Sequence, residues 1–285
     1  MAKVGIVTDT ISCLPEHLVK ELNIKIVPTG LVIDGKHFKD TELTNAEFWK
    51  LFKAAKAPIT TTAVNPADFA DVFKEVAKST DSILCITVSG KLSATHGAAV
   101  LAKEMLRKEK PHIVIEVIDS ITAAGAEGFL VIEAARAAQA GKSLGDIMQL
   151  VNDMIPQVKF FTAMNTLKYL IRSGRAPKTA TIGEFMNIKP IIGMVSGTGL
   201  VESLGRARGK RKAMEKIVNL AHDQIGTGKP AHVMLHYTDG IGTAEELKKL
   251  VTPRINCKEI YLTPYTPVMA SQTGPVVSIS FYTEP

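Results

Sequence analysis

The first half of the chain alternates short apolar runs with stretches of helical length, and that alternation limits the folds open to it. Val4–Thr8, Ile83–Val88 and Ile113–Ile118 are too short for helices and read as strands, Ile83–Val88 as one buried on both faces. Helical patterns separate them: Pro15–Glu21 with proline in its first turn, Asn45 through Ala55, the Phe69, Val72, Phe73, Val76 spacing after Asn65-Pro66, and Ser93 through Leu106. Two more, Ala123–Ala140 and Leu144–Ile155, follow the third run. Ile24–Val27 and Leu31–Ile33 read as further strands, with Asp34-Gly35 as a hairpin turn. Strands alternating with helices predict βαβ units. Ligands of such sheets sit beyond the carboxyl ends of the strands. Asp9, Ser89 and Asp119 are therefore expected to meet at one sheet edge.

Around Pro156 the pattern changes. Val158–Met164, Ile188–Met194, Leu200–Leu204, Ala231–His236, Glu259–Leu262 and Val276–Tyr282 read as strands, and Arg208–Ile225 and Gly242–Val251 as helices. Ser196–Gly199 reads as a hairpin loop. These elements predict an α/β protein of two α/β domains, 1–157 with a mainly parallel sheet and 158–285, the boundary falling near Gln157.

Composition narrows the function classes. With 46% hydrophobic and 22% charged residues, the chain is ordinary for a soluble protein. No window approaches the roughly 18 apolar residues of a membrane span. The opening MAKVGIVTDT has no signal-peptide pattern, so a cytoplasmic location is expected. Cys13, Cys85 and Cys257 are odd in number, far apart and free of any CxxC spacing, which predicts neither disulfides nor a zinc site. A net charge of +6 favours an anionic partner. Nucleic acid is not the expected one, because a single Trp and 6% aromatics leave little for base stacking.

Several motifs fail their context. Gly141-Lys142-Ser143-Leu144-Gly145 matches GxSxG, but a nucleophile elbow needs a strand before the serine and a helix precedes it here. Gly141 reads as a helix C-cap and Ser143 as the next N-cap. Asp9 follows a strand as a phosphoaspartyl nucleophile would, yet position 11 is Ile; the residue reads as an acceptor for backbone N–H groups in the turn. Gly90-Lys91-Leu92 and Gly228-Lys229-Pro230 are not phosphate loops. His232 and His236 share a strand face without a third metal ligand.

Three polar segments, all read as loops, remain. Thr60-Thr61-Thr62 precedes a helix, Ser89–Thr95 joins a strand to a helix, and Met269–Pro275 precedes the last strand. The first two offer hydroxyls beside helix N-termini, where an anion is favoured. In order and spacing the segments resemble the DegV family, over nearly the whole chain. Thr8–Pro15 is similar to its TDS-type start, Thr60–Pro66 to its TTSQPSP-like segment, and Ser89–Thr95 to its SSxLSGT loop. Leu170–Arg175 is similar to LxxGGR, Asn187–Pro190 to LxIKP and Gln272–Pro275 to HTGPG.

The resemblance implies a long-chain fatty acid in an apolar tunnel between two domains, with no other cofactor. It implies a carboxylate held by Thr61 or Thr62 and by Ser93, with Arg175, Gln272 and Thr273 beside them. Members of the family serve an ATP-dependent fatty acid kinase subunit, so this chain is expected to bind rather than catalyse. Arg206, Arg208 and Arg211, with Lys210 and Lys212, are expected to gather at the start of a helix as a docking face for that partner. Gln272 stands where the family has histidine, Ala94 and Val276 where it has glycine, and Thr62-Ala63-Val64 where it has SQP. Glutamine carries no charge and moves no proton near neutral pH. Two alternatives follow: a carrier of another anionic lipid without a kinase, or a hydrolase using Ser93 or Asp9.

Overall fold

Three apolar runs of the first half lie side by side in a computed structural model, described over residues 4–178 and 187–284. Strands β1 (Val4–Asp9), β2 (Lys25–Val27), β6 (Ser82–Thr87) and β7 (Val114–Asp119) form an all-parallel sheet in the order β2-β1-β6-β7. A small antiparallel sheet, order β4-β3-β5, is built from β3 (Gly30–Ile33), β4 (Lys36–Lys39) and β5 (Thr60–Thr62). The chain after residue 158 supplies a six-stranded sheet of order β10-β9-β8-β13-β11-β12. Its strands are β8 (Lys159–Met164), β9 (Ile188–Met194), β10 (Glu202–Arg208), β11 (Pro230–Tyr237), β12 (Asn256–Pro264) and β13 (Val276–Thr283), antiparallel except for the β11–β12 pair.

The helices are α1 (Glu16–Glu21), α2 (Asn45–Ala54), α3 (Pro66–Val76), α4 (Thr95–Glu109), α5 (Ala124–Gln139), α6 (Leu144–Met154), α7 (Lys168–Arg172), α8 (Lys210–Ile225), α9 (Ile241–Val251) and α10 (Pro267–Thr273). Helix α5 organises the rest. It is rich in alanine and glycine, has no polar stripe, and is buried around most of its circumference. One side packs on β1 and β6, and the other on β8, β11 and β13. Small residues set the spacing. A Cβ on Gly125 would come within 2.5 Å of His236 Nε2, and one on Gly128 within 2.8 Å of the Ser12 carbonyl. A hydrophobic cluster runs without a break from the parallel sheet through α5 into β8, β9 and α10. At the far end of α5, Arg136 grips Glu259 with two bonds of 2.7 and 3.1 Å, and Tyr282 donates to Glu133 at 3.0 Å. That geometry holds the Glu259 carboxyl down at about 2 despite its partial burial.

Several sequence readings need correction. Thr60–Thr62 is a strand, not a loop: its β-branched residues pair with Val32, Leu31 and Gly30, and the bare Gly30 makes room for the Thr62 hydroxyl. Met269–Thr273 is also not a loop but the body of α10, opened by Pro267 and closed at Gly274 with φ +65°. Helix α4 begins at Thr95 rather than Ser93, because Ser93 closes a turn on Ser89. Thr44, not Asn45, caps α2, through a reciprocal box with Glu47. Arg206 and Arg208 lie on β10, the strand that runs on past Leu204, so only Lys210, Arg211 and Lys212 belong to the start of α8.

The readings of the sheet edge and of the α5–α6 junction stand. Asp9 accepts from Ile11 N at 2.9 Å and Val88 N at 3.0 Å, and Asp119 from Gly90 N at 3.1 Å, so both meet the Ser89 loop at the sheet edge. Gly141 takes φ +79° after α5, and Ser143 caps α6 by accepting from Asp146 N at 3.2 Å. His232 is bonded to Glu259 at 2.8 Å and stacked on Tyr282, while His236 is fully buried beside Tyr265. No cluster of three metal-ligating side chains occurs among the described residues. No helix among them is long and apolar enough to cross a membrane.

Two carboxyls, Asp9 at the end of β1 and Glu127 on α5, are fully buried. Burial raises Asp9 to about 7, and burial together with the neighbouring Asp9 raises Glu127 well above its ordinary value. Both bind a proton more tightly folded than unfolded, so stability falls as pH rises from the unfolded value near 4 through the folded one. His236, lowered by burial to about 3, acts with the opposite sign, but only below its unfolded value of 6.5. Above about pH 7 the two buried carboxyls set the slope, both in the same direction. Urea unfolding between about pH 7 and 8.5 is therefore expected to show a midpoint that falls with pH in the native chain and stays flatter in Glu127→Gln. Equal slopes would show that Glu127 is already ionised in the fold.

Candidate functional site

A cavity of about 760 Å³, counted with its open mouth, lies where the parallel sheet, the small sheet and the six-stranded sheet converge. Its body is apolar: Val88, Leu92 and Ala123 come from the first half, and Phe160, Leu170, Ile192, Met194 and Val201 from the second. Its polar atoms concentrate in four segments. Strand β5 brings Thr61 and Thr62, and the Ser89–Thr95 turn brings Ser93 and Thr95. The turn after α7 brings Arg175, and the last turn of α10 brings Gln272 and Thr273.

Arg175 ties two of these segments together. Its Nε donates to the Leu92 carbonyl at 2.8 Å, and its Nη1 to Gln272 Oε1 at 2.9 Å and more weakly to the Ser173 carbonyl at 3.4 Å. All three acceptors are neutral. No carboxylate lies within 4 Å of the guanidinium among the described residues. Partial burial lowers the Arg175 pKa, although a guanidinium still keeps its charge. The result is a desolvated cation in an apolar wall without a counter-ion, an arrangement that favours a bound anion.

The hydroxyls differ in what they can give. Ser93 Oγ and Thr95 Oγ1 stand 2.8 Å apart, and Ser93 also accepts from Thr95 N at 3.3 Å. One of the two O–H groups is spent on the other and one remains to donate. Thr273 is committed, donating to Met269 O at 3.0 Å and Gly274 O at 3.1 Å. Gln272 Nε2 spends one proton on Ser271 Oγ at 3.3 Å and keeps a second. Thr29, in the cavity wall beside Thr62, donates to Asp40 Oδ2 at 3.0 Å and contacts Thr10 Oγ1 at 2.7 Å. Burial raises Asp40 to about 6. Among the described residues the Ser93 hydroxyl is hydrogen-bonded only within its own turn, to Thr95, and Asp9 accepts from backbone N–H groups.

The family model for uncharacterised DegV proteins matches residues 3–284. The chain belongs to the DegV family. A DegV domain-containing protein of Caldanaerobacter subterraneus is 38% identical over 221 residues, 77% of this chain and 76% of the relative. Another, from Streptococcus pyogenes serotype M1, is 28% identical over 95% of this chain and 94% of its own. Among solved structures, a DegV family protein from Thermus thermophilus, described for its fatty acid binding, superposes with a TM-score of 0.88 at 27% identity, with all of both chains covered. A Thermotoga maritima protein described as revealing fatty acid binding function shares the fold, with a TM-score of 0.89 at 22% identity over all of both chains.

Within this DegV chain, the six ligand-site positions picked out in the sequence, Thr61, Thr62, Ser93, Arg175, Gln272 and Thr273, all line the one cavity. Of the three basic positions only Arg211 lies at the start of a helix. Arg206 and Arg208 are exposed on the edge strand β10, and Arg211, on α8, pairs with Glu215 at 3.0 Å. Thr95 also lines the cavity, from within the Ser89–Thr95 segment, and so do Thr29, Thr162 and Tyr265, which no sequence motif singles out. Thr162 and Tyr265 carry no local signal, because only the crossing of β8 with the segment before α10 brings them together.

Proposed function

We propose that this chain binds a long-chain fatty acid in the cavity, between a unit of residues 1–157 and a unit of residues 158–285. The guanidinium of Arg175, without a carboxylate partner among the described residues and set at the polar end of a largely apolar cavity, carries the reading. A carboxylate beside Arg175 takes hydrogen bonds from the free donors of Thr61, Thr62, Ser93 and Gln272, with Thr273 packing alongside rather than donating. The acyl chain runs over Leu170, Phe160, Ile192, Met194 and Val201. Each methylene buried there contributes about 0.8 kcal/mol, so the chain supplies most of the affinity and the mouth supplies the choice of head group. The fatty acid binding described for the Thermus thermophilus relative supports the same reading.

In this reading the protein is a cytoplasmic carrier that presents the carboxylate to an ATP-dependent fatty acid kinase subunit. Arg206, Arg208 and Arg211 form the docking face for the kinase. Gln272 positions Arg175 instead of moving a proton, which assigns the acid–base work of acyl phosphate formation to the kinase.

Displacement of a fluorescent fatty acid measures the central step. Arg175→Met is expected to weaken palmitate by about 10- to 100-fold, the range of a lost charge-assisted hydrogen bond, and to leave palmitate methyl ester little changed. Equal losses for acid and ester would place the head group elsewhere. With the kinase subunit of the same organism, reversing Arg206, Arg208 and Arg211 to Glu is expected to slow acyl phosphate formation while palmitate affinity stays constant. An unchanged rate would move the docking face off β10 and α8.

A further inference from the structure

The acyl part of the cavity is not uniformly apolar. Thr162 of β8 and Tyr265, just after β12, both line it, and both are about 1% exposed. Ser278 of β13, fully buried, donates to Tyr265 Oη at 2.8 Å. Tyr265 Oη in turn stands 3.4 Å from Thr162 Oγ1. Among the described residues none of the three is hydrogen-bonded to Thr61, Thr62, Ser93, Arg175 or Gln272, so this hydroxyl chain is a hydrogen-bonded set of its own.

The proton count of the chain does not close. Three hydroxyls bring three protons to two contacts. With Ser278 donating to Tyr265, the phenol proton goes to Thr162, across a long 3.4 Å contact, and the Thr162 proton has no acceptor but the cavity. Burial keeps the phenol protonated, since it raises the Tyr265 pKa strongly. His236 lies with its ring centroid 5.1 Å from that of Tyr265, and the buried Ser280 hydroxyl has no hydrogen-bond partner among the described residues. An all-methylene chain laid against Thr162 leaves a buried donor unpaired, which is unfavourable. A valine and a phenylalanine would line a plain hydrocarbon path at nearly the same volume.

Building on the fatty acid reading, we infer that the cavity is shaped for an acyl chain that carries its own oxygen, a hydroxy or oxo fatty acid whose chain oxygen bonds to Thr162 and Tyr265. Two features combine: a cationic mouth at Arg175 for the carboxylate, and a second polar point along the chain for the oxygen. Sites that hydrogen-bond a substrate oxygen discriminate strongly against the analogue without it, whereas one methylene more or less changes little. The preference therefore falls on oxygenation and its position along the chain rather than on chain length.

The test measures the affinities of stearate and of a series of hydroxystearates, with the hydroxyl at successive carbons, for the native chain, Thr162→Val and Tyr265→Phe. The native chain is expected to favour one positional isomer over stearate by about tenfold, and each variant to reduce that ratio towards one. A ratio near one for every isomer in the native chain overturns the inference. So does a preference that both variants keep, and so does an ordered water that a crystal structure with hydroxystearate still shows on Thr162. Failure of the native chain to bind stearate and every hydroxystearate overturns the fatty acid reading itself. Binding of stearate with no isomer preferred overturns only the inference about the oxygen.

Discussion

A helix without a polar face has to be covered on every side, and that requirement shapes this protein. Helix α5 meets it by lying between the parallel sheet and the six-stranded sheet. Neither sheet alone would hide it. Gly125 and Gly128 let both sheets approach to contact distance, and the Arg136–Glu259 and Tyr282–Glu133 bonds fasten the far end. Helix α5 begins just after the carboxyl end of β7, and its N-cap Ala123 already lines the cavity. The cavity thus sits at the start of the enclosed helix.

The mouth follows a second constraint, the cost of a desolvated charge. Arg175 links the Ser89–Thr95 turn to α10, and so has a structural role. It performs that role with neutral acceptors, leaving its charge to be met by whatever enters. Nearby hydroxyls are partly spent on one another, as in Ser93–Thr95 and Thr10–Thr29, which fixes their direction without exhausting their donors.

The sequence made the parallel sheet legible, because Ile83–Val88 and Ile113–Ile118 have one reading only. It also made the cavity mouth legible, since the polar segments that converge there kept the family's order. What it hid depended on tertiary pairing. Three threonines at 60–62 look like a turn until Gly30 is placed opposite Thr62. Ser271-Gln272-Thr273 is polar enough to be a loop, and becomes helical because α10 is buried against the rest of the core. Arg206 and Arg208 read as helical from their charge run, yet β9 recruits them into an antiparallel pair. The Thr162–Tyr265 contact joins residues 103 positions apart, and no local pattern could announce it.

Native mass spectrometry of the purified protein, before and after organic extraction, tests the account most directly. It predicts a native mass in excess of the polypeptide by one fatty acid, lost on extraction and recovered when the lipid is added back. A native mass equal to that of the polypeptide, unchanged by added palmitate or hydroxystearate, would contradict it.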